Sequence, residues 1–230
     1  MAYESEAIIL KEFSKFFLNG SLYKGSKPVM WSPIEKTALA EAEIEYYDID
    51  STSIYVAFKV KNSPNKLLEN TSVVIWTTTP WTIPGNRAIA FGDSIDYSII
   101  KVQESKNNLI KDNKYLVAKS LLEEVCKRCN IRKFELIKEI KGEKLGNTIC
   151  HHPFSKIGFD YDVPLLKAAF VEDSEGTGLV HIAPCYGEDD YYLALDNNIV
   201  IKDIVKDDGC YKDNTPVFAG IHVFKANPII

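Results

Sequence analysis

No stretch of this 230-residue chain approaches the roughly 18 consecutive apolar residues that span a membrane. The N-terminus also lacks the charged-then-apolar build of a secretory leader. A soluble, cytoplasmic protein with no membrane partner is expected. Positive charge is scarce: 27 Lys and Arg stand against 32 Asp and Glu, a formal net charge of −5. That balance argues against a dedicated nucleic-acid-binding module, whose footprint is a basic patch. Any RNA contact must be local, or shared with a partner surface. There is no internal repeat and no low-complexity segment.

Cysteine is sparse, scattered and odd in number. Five thiols in a chain that is 46% hydrophobic read as reduced side chains, because a good core needs no disulfide framework. Cys126 and Cys129 form a C-x-x-C, and Cys150-His151-His152 could complete a zinc site on paper. The helical pattern over Leu121–Asn130 instead puts Leu121, Leu122, Val125 and Cys129 on one face. Cys129 is expected to pack in the core with Cys126 beside it, and no metal site is expected.

The most informative stretch is Val73–Phe91, VVIWTTTPWTIPGNRAIAF. Val73, Val74, Ile75 and Trp76 form a short β-branched, apolar run, the pattern of a buried strand. Thr77, Thr78 and Thr79 follow where that strand surfaces. Pro80 and Pro84 cannot donate to a ladder, so the chain must leave the sheet. A turn at Pro84-Gly85-Asn86 leads into a second strand, Arg87–Phe91. Three hydroxyls on a rigid strand end suit a small polar substrate, although propensity alone favours a plain threonine-rich edge strand. Alternation puts Thr77 and Thr79 on one face and Thr78 on the other.

The second informative stretch is Glu175–Tyr192, EGTGLVHIAPCYGEDDYY. Leu179–Ile182 reads as a strand that ends at Pro184, and a helix opens near Gly187 and runs to about Asn197. Glu188, Asp189 and Asp190 fall in its first turn, where carboxylates are stabilised by roughly 0.3–1 kcal/mol without any function. If one of them faces a pocket, it can bind a substrate ammonium that the bare helix end would repel.

Elsewhere, Tyr3–Asn19 reads as a helix on the spacing of Ile8, Ile9, Phe13, Phe16 and Phe17, with Gly20 just past its end. Ser21–Pro33 suggests an extended ribbon. Strands are expected at Ile44–Ile49, Ser53–Val60, Tyr97–Val102, Tyr115–Ala118, Phe134–Ile140 and Val163–Phe170. Short strands follow, with turns at Asp207-Asp208-Gly209 and Ala219-Gly220. Many short strands with few helices indicate an α+β fold with a β-barrel-like core and a few flanking helices.

TTTPWT resembles the threonine-rich region of the editing insertion, the connective polypeptide, of isoleucyl-tRNA synthetases. Valyl and leucyl relatives usually carry Arg-Pro-Glu or Arg-Pro-Asp after two threonines. GTGLVHIAP…GEDDY resembles the second editing motif of class I synthetases that handle branched aliphatic amino acids, and the likeness runs from about Tyr3 to Asn227. This resemblance implies that Asp190 binds the α-ammonium, that Thr77, Thr78 and Thr79 position the ester, and that His181, Asn86 and Trp76 contribute to the substrate pocket. It departs at Tyr186, where many members have histidine, and at Cys185, often a small residue.

The implied reaction is hydrolysis of the ester of valyl-tRNA(Ile), post-transfer proofreading by an aminoacyl-tRNA ester hydrolase. The implied partners are the 3′ acceptor end of tRNA(Ile) carrying misattached valine and the parent catalytic domain. Alternatives are a non-catalytic insertion that docks the acceptor end, or valyl-type editing of threonyl-tRNA. Neither a His-Ile-Gly-His-type nor a Lys-Met-Ser-Lys-type signature is present. The chain is therefore expected to be an excised insert with no cofactor of its own, although the full-length family uses ATP and Mg2+. The expected organisation is residues 1–45 as helix and ribbon leading from the parent domain, 46–215 as the editing core, and 216–230 as the return ribbon.

Overall fold

The structure, a computed structural model, describes residues 2–230. It opens on α1 (Tyr3–Leu18), which buries none of its residues. A two-stranded antiparallel ribbon follows, β1 (Trp31–Ser32) with β2 (Thr37–Ala38). The strand expected over Ile44–Ile49 does not form. Nearly all of its residues are exposed and no neighbouring strand runs beside it, so its amides have no ladder to join.

The body is one nine-stranded mixed sheet. In chain order its strands are β3 (Ile54–Asn62), β4 (Thr71–Thr77), β5 (Ala88–Phe91), β6 (Asp96–Ser105), β7 (Lys114–Ala118), β8 (Ile131–Lys141), β9 (Ile149–His151), β10 (Asp162–Lys167) and β11 (Leu179–Ile182). Their spatial order is β11-β5-β10-β9-β3-β4-β7-β6-β8. The β4–β7 and β5–β10 pairs are parallel and the rest antiparallel. α2 (Leu122–Arg128) packs on β8, and α3 (Glu188–Asp196) follows β11.

The α+β class holds. The barrel does not close: among the described residues no ladder joins β11 to the opposite edge. The sheet instead curls until β11 lies against β4, and this seam places the site. One large apolar cluster fills the curl, with Phe58, Val73, Ile75, Ile89, Ile99 and Leu116 fully shielded from solvent. A second cluster, built on Phe159, Tyr211 and Phe218, packs beneath the Pro80–Gly85 turn through Trp81, Tyr161 and Tyr186.

Beyond α3 the expected short strands reduce to two isolated bridges, Val205 with Tyr211 and Cys210 with His222. A one-turn helix, α4 (Val223–Ala226), follows them. The C-x-x-C packs differently from expectation: Cys126 is buried, whereas Cys129, past the end of α2, is only half-buried. Cys150 lies on β9, the three-residue strand between β10 and β3. Among the described residues no group of three or more His, Cys, Asp and Glu is gathered to hold a metal ion.

Candidate functional site

β4 ends where its sequence says it must. Thr77 is its last residue, and Pro80 opens a six-residue 3₁₀ turn, Pro80–Gly85, before β5 begins. Freed from the ladder, the threonine end organises itself. Thr77 Oγ1 accepts the Thr79 backbone N–H at 3.1 Å and lies 3.2 Å from Thr79 Oγ1. Thr78 and Thr79 are both exposed and Thr77 is buried, so the alternation that sets Thr78 apart does not decide exposure past the end of β4.

Opposite this end stands β11, with His181 in register with Ile89 of β5. Its hydrogen bonds define its protonation. The Ala88 carbonyl can only accept, so the Asn86 amide turns its NH₂ toward it at 2.9 Å. The second hydrogen of that NH₂ meets His181 Nδ1 at 2.7 Å. Nδ1 therefore accepts, and the ring proton sits on Nε2, which donates to Thr82 Oγ1 at 2.9 Å. Thr82 passes its own proton to the Thr79 carbonyl at 2.8 Å. Burial, reinforced by the nearby His152, pushes His181 down to about 3, so the ring is neutral at physiological pH.

The turn is fixed from behind. With two prolines among its six residues it has few backbone donors of its own, and side chains supply them. His152 Nε2 bonds the Ile83 carbonyl at 2.9 Å, the Tyr161 hydroxyl bonds the Asn86 carbonyl at 2.9 Å, and the Tyr211 hydroxyl bonds the Trp81 carbonyl at 2.5 Å.

Asp190 sits in the first turn of α3, half-buried, with Oδ2 accepting the Ala183 N–H at 2.7 Å. Burial, with Asp189 adding to it, raises its carboxyl above the usual aspartate range, against that hydrogen bond. Glu188 and Asp189 are exposed.

Asp190, Thr77, Thr78, Thr79, His181 and Trp76 thus line one cleft of about 410 Å³. Asn86 does not reach it: the residue is wholly buried behind His181 and acts on the imidazole. Residues assigned no site role from sequence also line the cleft, namely Thr82, Tyr186, Phe170, Glu172, Ser174 and the turn 175–178. The signal that could have found Thr82 is the 3₁₀ turn itself, in which residues i and i+3 eclipse and Thr79 stands three before it. The acidic loop gave no periodic signal. Gly176 and Gly178 adopt φ of +73° and +70°, and a Cβ on Gly176 would meet the Trp76 ring at 3.3 Å. The lining carries Glu172, Glu175 and Asp190 and, among the described residues, no Lys or Arg. Such a cleft favours a cationic group.

The family model described as tRNA synthetases class I (I, L, M and V) matches residues 1–218. The chain belongs to the class I tRNA synthetase family. The chain is 51% identical to the isoleucine–tRNA ligase of Pelagibacter ubique over 230 residues, which is 100% of the chain and 25% of that protein. It is 49% identical to the isoleucine–tRNA ligase of Gluconobacter oxydans, over 98% of the chain and 24% of that protein. It spans about a quarter of the length of these curated relatives. The crystal structure of GlLeuRS-CP1 shares its fold, with a TM-score of 0.58 at 15% identity, covering 76% of this chain and 93% of that one.

Proposed function

We propose that this segment of a class I synthetase hydrolyses the ester of valyl-tRNA(Ile), the proofreading step of isoleucine attachment. The observation that carries the proposal is the single cleft at the β4–β11 seam, which joins a half-buried carboxylate, a threonine strand end and a neutral histidine. The isoleucine–tRNA ligase relatives and the shared CP1 fold support it.

Asp190 spends one oxygen on Ala183, and the other binds the α-ammonium. Thr77, Thr78 and Thr79 orient the ester and the terminal ribose. Water attacks the ester carbonyl carbon, the bond to the ribose oxygen breaks, and the proton released by water ends on that oxygen. Valine and uncharged tRNA leave. The reaction needs no metal and no covalent enzyme intermediate, and proximity and electrostatic placement supply the rate. His181, locked by Thr82 and Asn86, bounds the side-chain end. An activating site discriminates one methylene by only about 1–3 kcal/mol, and a rigid wall that admits valine but overpacks against isoleucine supplies the missing selectivity. Residues 1–45 and 216–230 link the editing core to the parent catalytic domain.

The test is deacylation of valyl- and isoleucyl-tRNA(Ile) by the 230-residue chain. Hydrolysis of the valyl ester alone is expected. Binding without hydrolysis would establish a docking insertion instead, and hydrolysis of threonyl-tRNA(Val) would establish valyl-type editing.

A further inference from the structure

The cleft poses an electrostatic problem. Glu172, Glu175 and Asp190 suit an ammonium, yet the ammonium arrives on a polyanion, and the chain as a whole carries −5. The phosphates behind the aminoacylated end need a separate basic surface close to the cleft. Resting on the proposed reaction, we infer that Lys127, Arg128, Arg132 and Lys133, at the end of α2 and the start of β8, form a track for the RNA backbone entering the cleft.

Four of the 27 basic residues fall in the seven-residue window Lys127–Lys133, which holds no acid. No other seven-residue window of the chain contains four. All four side chains are exposed. Arg128 pairs with Glu124 at 2.7 Å, an exposed pair whose small worth leaves the guanidinium open to a phosphate. Lys127, Arg132 and Lys133 form no ion pair among the described residues, although Glu104 stands opposite Lys133 in the β6–β8 ladder. Cations in the last turn of α2 also complement the helix dipole. Arg132 and Lys133 lie beyond the helix, so that benefit does not account for them.

Two contacts tie this surface to the cleft. Ser120, just before α2, places its hydroxyl 2.8 Å from the Asp173 carboxylate, within the loop that forms the acidic rim. From there α2 runs seven residues, about 10 Å at 1.5 Å per residue, and ends on the basic pair. On the other side Tyr55 of β3 is paired with Trp76 of the cleft wall. Burial raises the Tyr55 phenol above its ordinary value, with smaller opposing contributions from Arg128 and the rim residue Glu175. The track therefore begins about one short helix away from the mouth.

The experiment compares wild type with the triple variant Lys127→Gln, Arg132→Gln, Lys133→Gln on two substrates. One is a valylated RNA hairpin with a single-stranded 3′ end, and the other is the valyl ester of adenosine, which has no phosphate. The variant is expected to lose at least tenfold in kcat/KM on the hairpin at low salt and to stay within twofold on the adenosine ester. The slope of log(kcat/KM) against log[salt] for the hairpin is expected to flatten by about 2, from three lost contacts at roughly 0.7 each. Equal losses on both substrates, or an unchanged slope, would overturn the track. If wild type hydrolyses neither ester, the proposed reaction fails. The track is then decided by fluorescence anisotropy of the uncharged hairpin with the same salt series, where an unchanged slope in the variant, or no salt-dependent binding by wild type, refutes it.

Discussion

Asp190→Asn separates the two tasks the structure gives one carboxylate. The amide keeps an oxygen that can accept the Ala183 N–H now held at 2.7 Å, so the junction between β11 and α3 survives with a loss below about 1.5 kcal/mol. The negative charge is gone. Leaving a partly desolvated ammonium without its partner costs about 2–5 kcal/mol. At 1.4 kcal/mol per decade that is a fall of roughly 30- to 4,000-fold in kcat/KM for valyl-tRNA. Stability should move the other way. Burial holds the folded carboxyl above its ordinary value, so the native state binds this proton more tightly than the unfolded chain does. Its contribution to stability is full below the unfolded value and is lost as pH rises through the folded one. The melting temperature of the variant should therefore gain on wild type as pH rises from acid to neutral. Wild-type activity, which requires the carboxylate, should fall on the acid side with an apparent pKa above that of an ordinary aspartate. Single-turnover deacylation and thermal unfolding across pH measure both. A variant that deacylates within threefold of wild type would refute the ammonium role, as would an equal loss in Asp189→Asn, whose side chain is exposed.

Thr82→Val strips the hydroxyl that accepts from His181 Nε2 and donates to the Thr79 carbonyl. It should cost about 1–3 kcal/mol, or several degrees in Tm, and raise hydrolysis of isoleucyl-tRNA relative to valyl-tRNA; an unchanged ratio would remove the lock on His181. Tyr161→Phe deletes the donor to the Asn86 carbonyl and should lower Tm by a few degrees while eroding the same selectivity, measured side by side with wild type. Gly178→Ala should be among the most damaging single changes, because the new Cβ would lie 2.4 Å from that of Ala118 at a φ of +70°. Its chemical-denaturation midpoint should fall by the equivalent of more than 1 kcal/mol, typical of a side chain forced into the left-handed region.

β4 could be read directly because its apolar run is long enough to show a pattern and Pro80 marks its end. α3 and β11 were legible for the same reason, with Pro184 and Gly187 as punctuation. β9 was not, since three residues carry no period, and its existence depends on β10 and β3 flanking it. Ile44–Ile49 failed in the opposite sense: the propensity was there and the partner strand was not. The cleft residues on β4 and in α3 followed from motif and spacing. Asn86 did not, because its distance from solvent is set by how the turn folds back over β5, a tertiary fact. The curl of the sheet, which decides that β4 and β11 share a seam without pairing, leaves no trace in any local window.

That seam has a kinetic corollary. His181 reaches Thr82 and Asn86 across 99 and 95 residues of chain, and closing a loop of that length costs roughly 4 kcal/mol of chain entropy. Two parallel strand pairs add further non-local order, so folding should be slow for a domain of this size. No contiguous fragment that stops short of α3 contains all the walls of the cleft, because Asp190 lies on that helix. On a ribosome the site cannot exist until the last of these walls has emerged, and in refolding experiments hydrolysis should return with the final cooperative phase, after most of the secondary structure has formed.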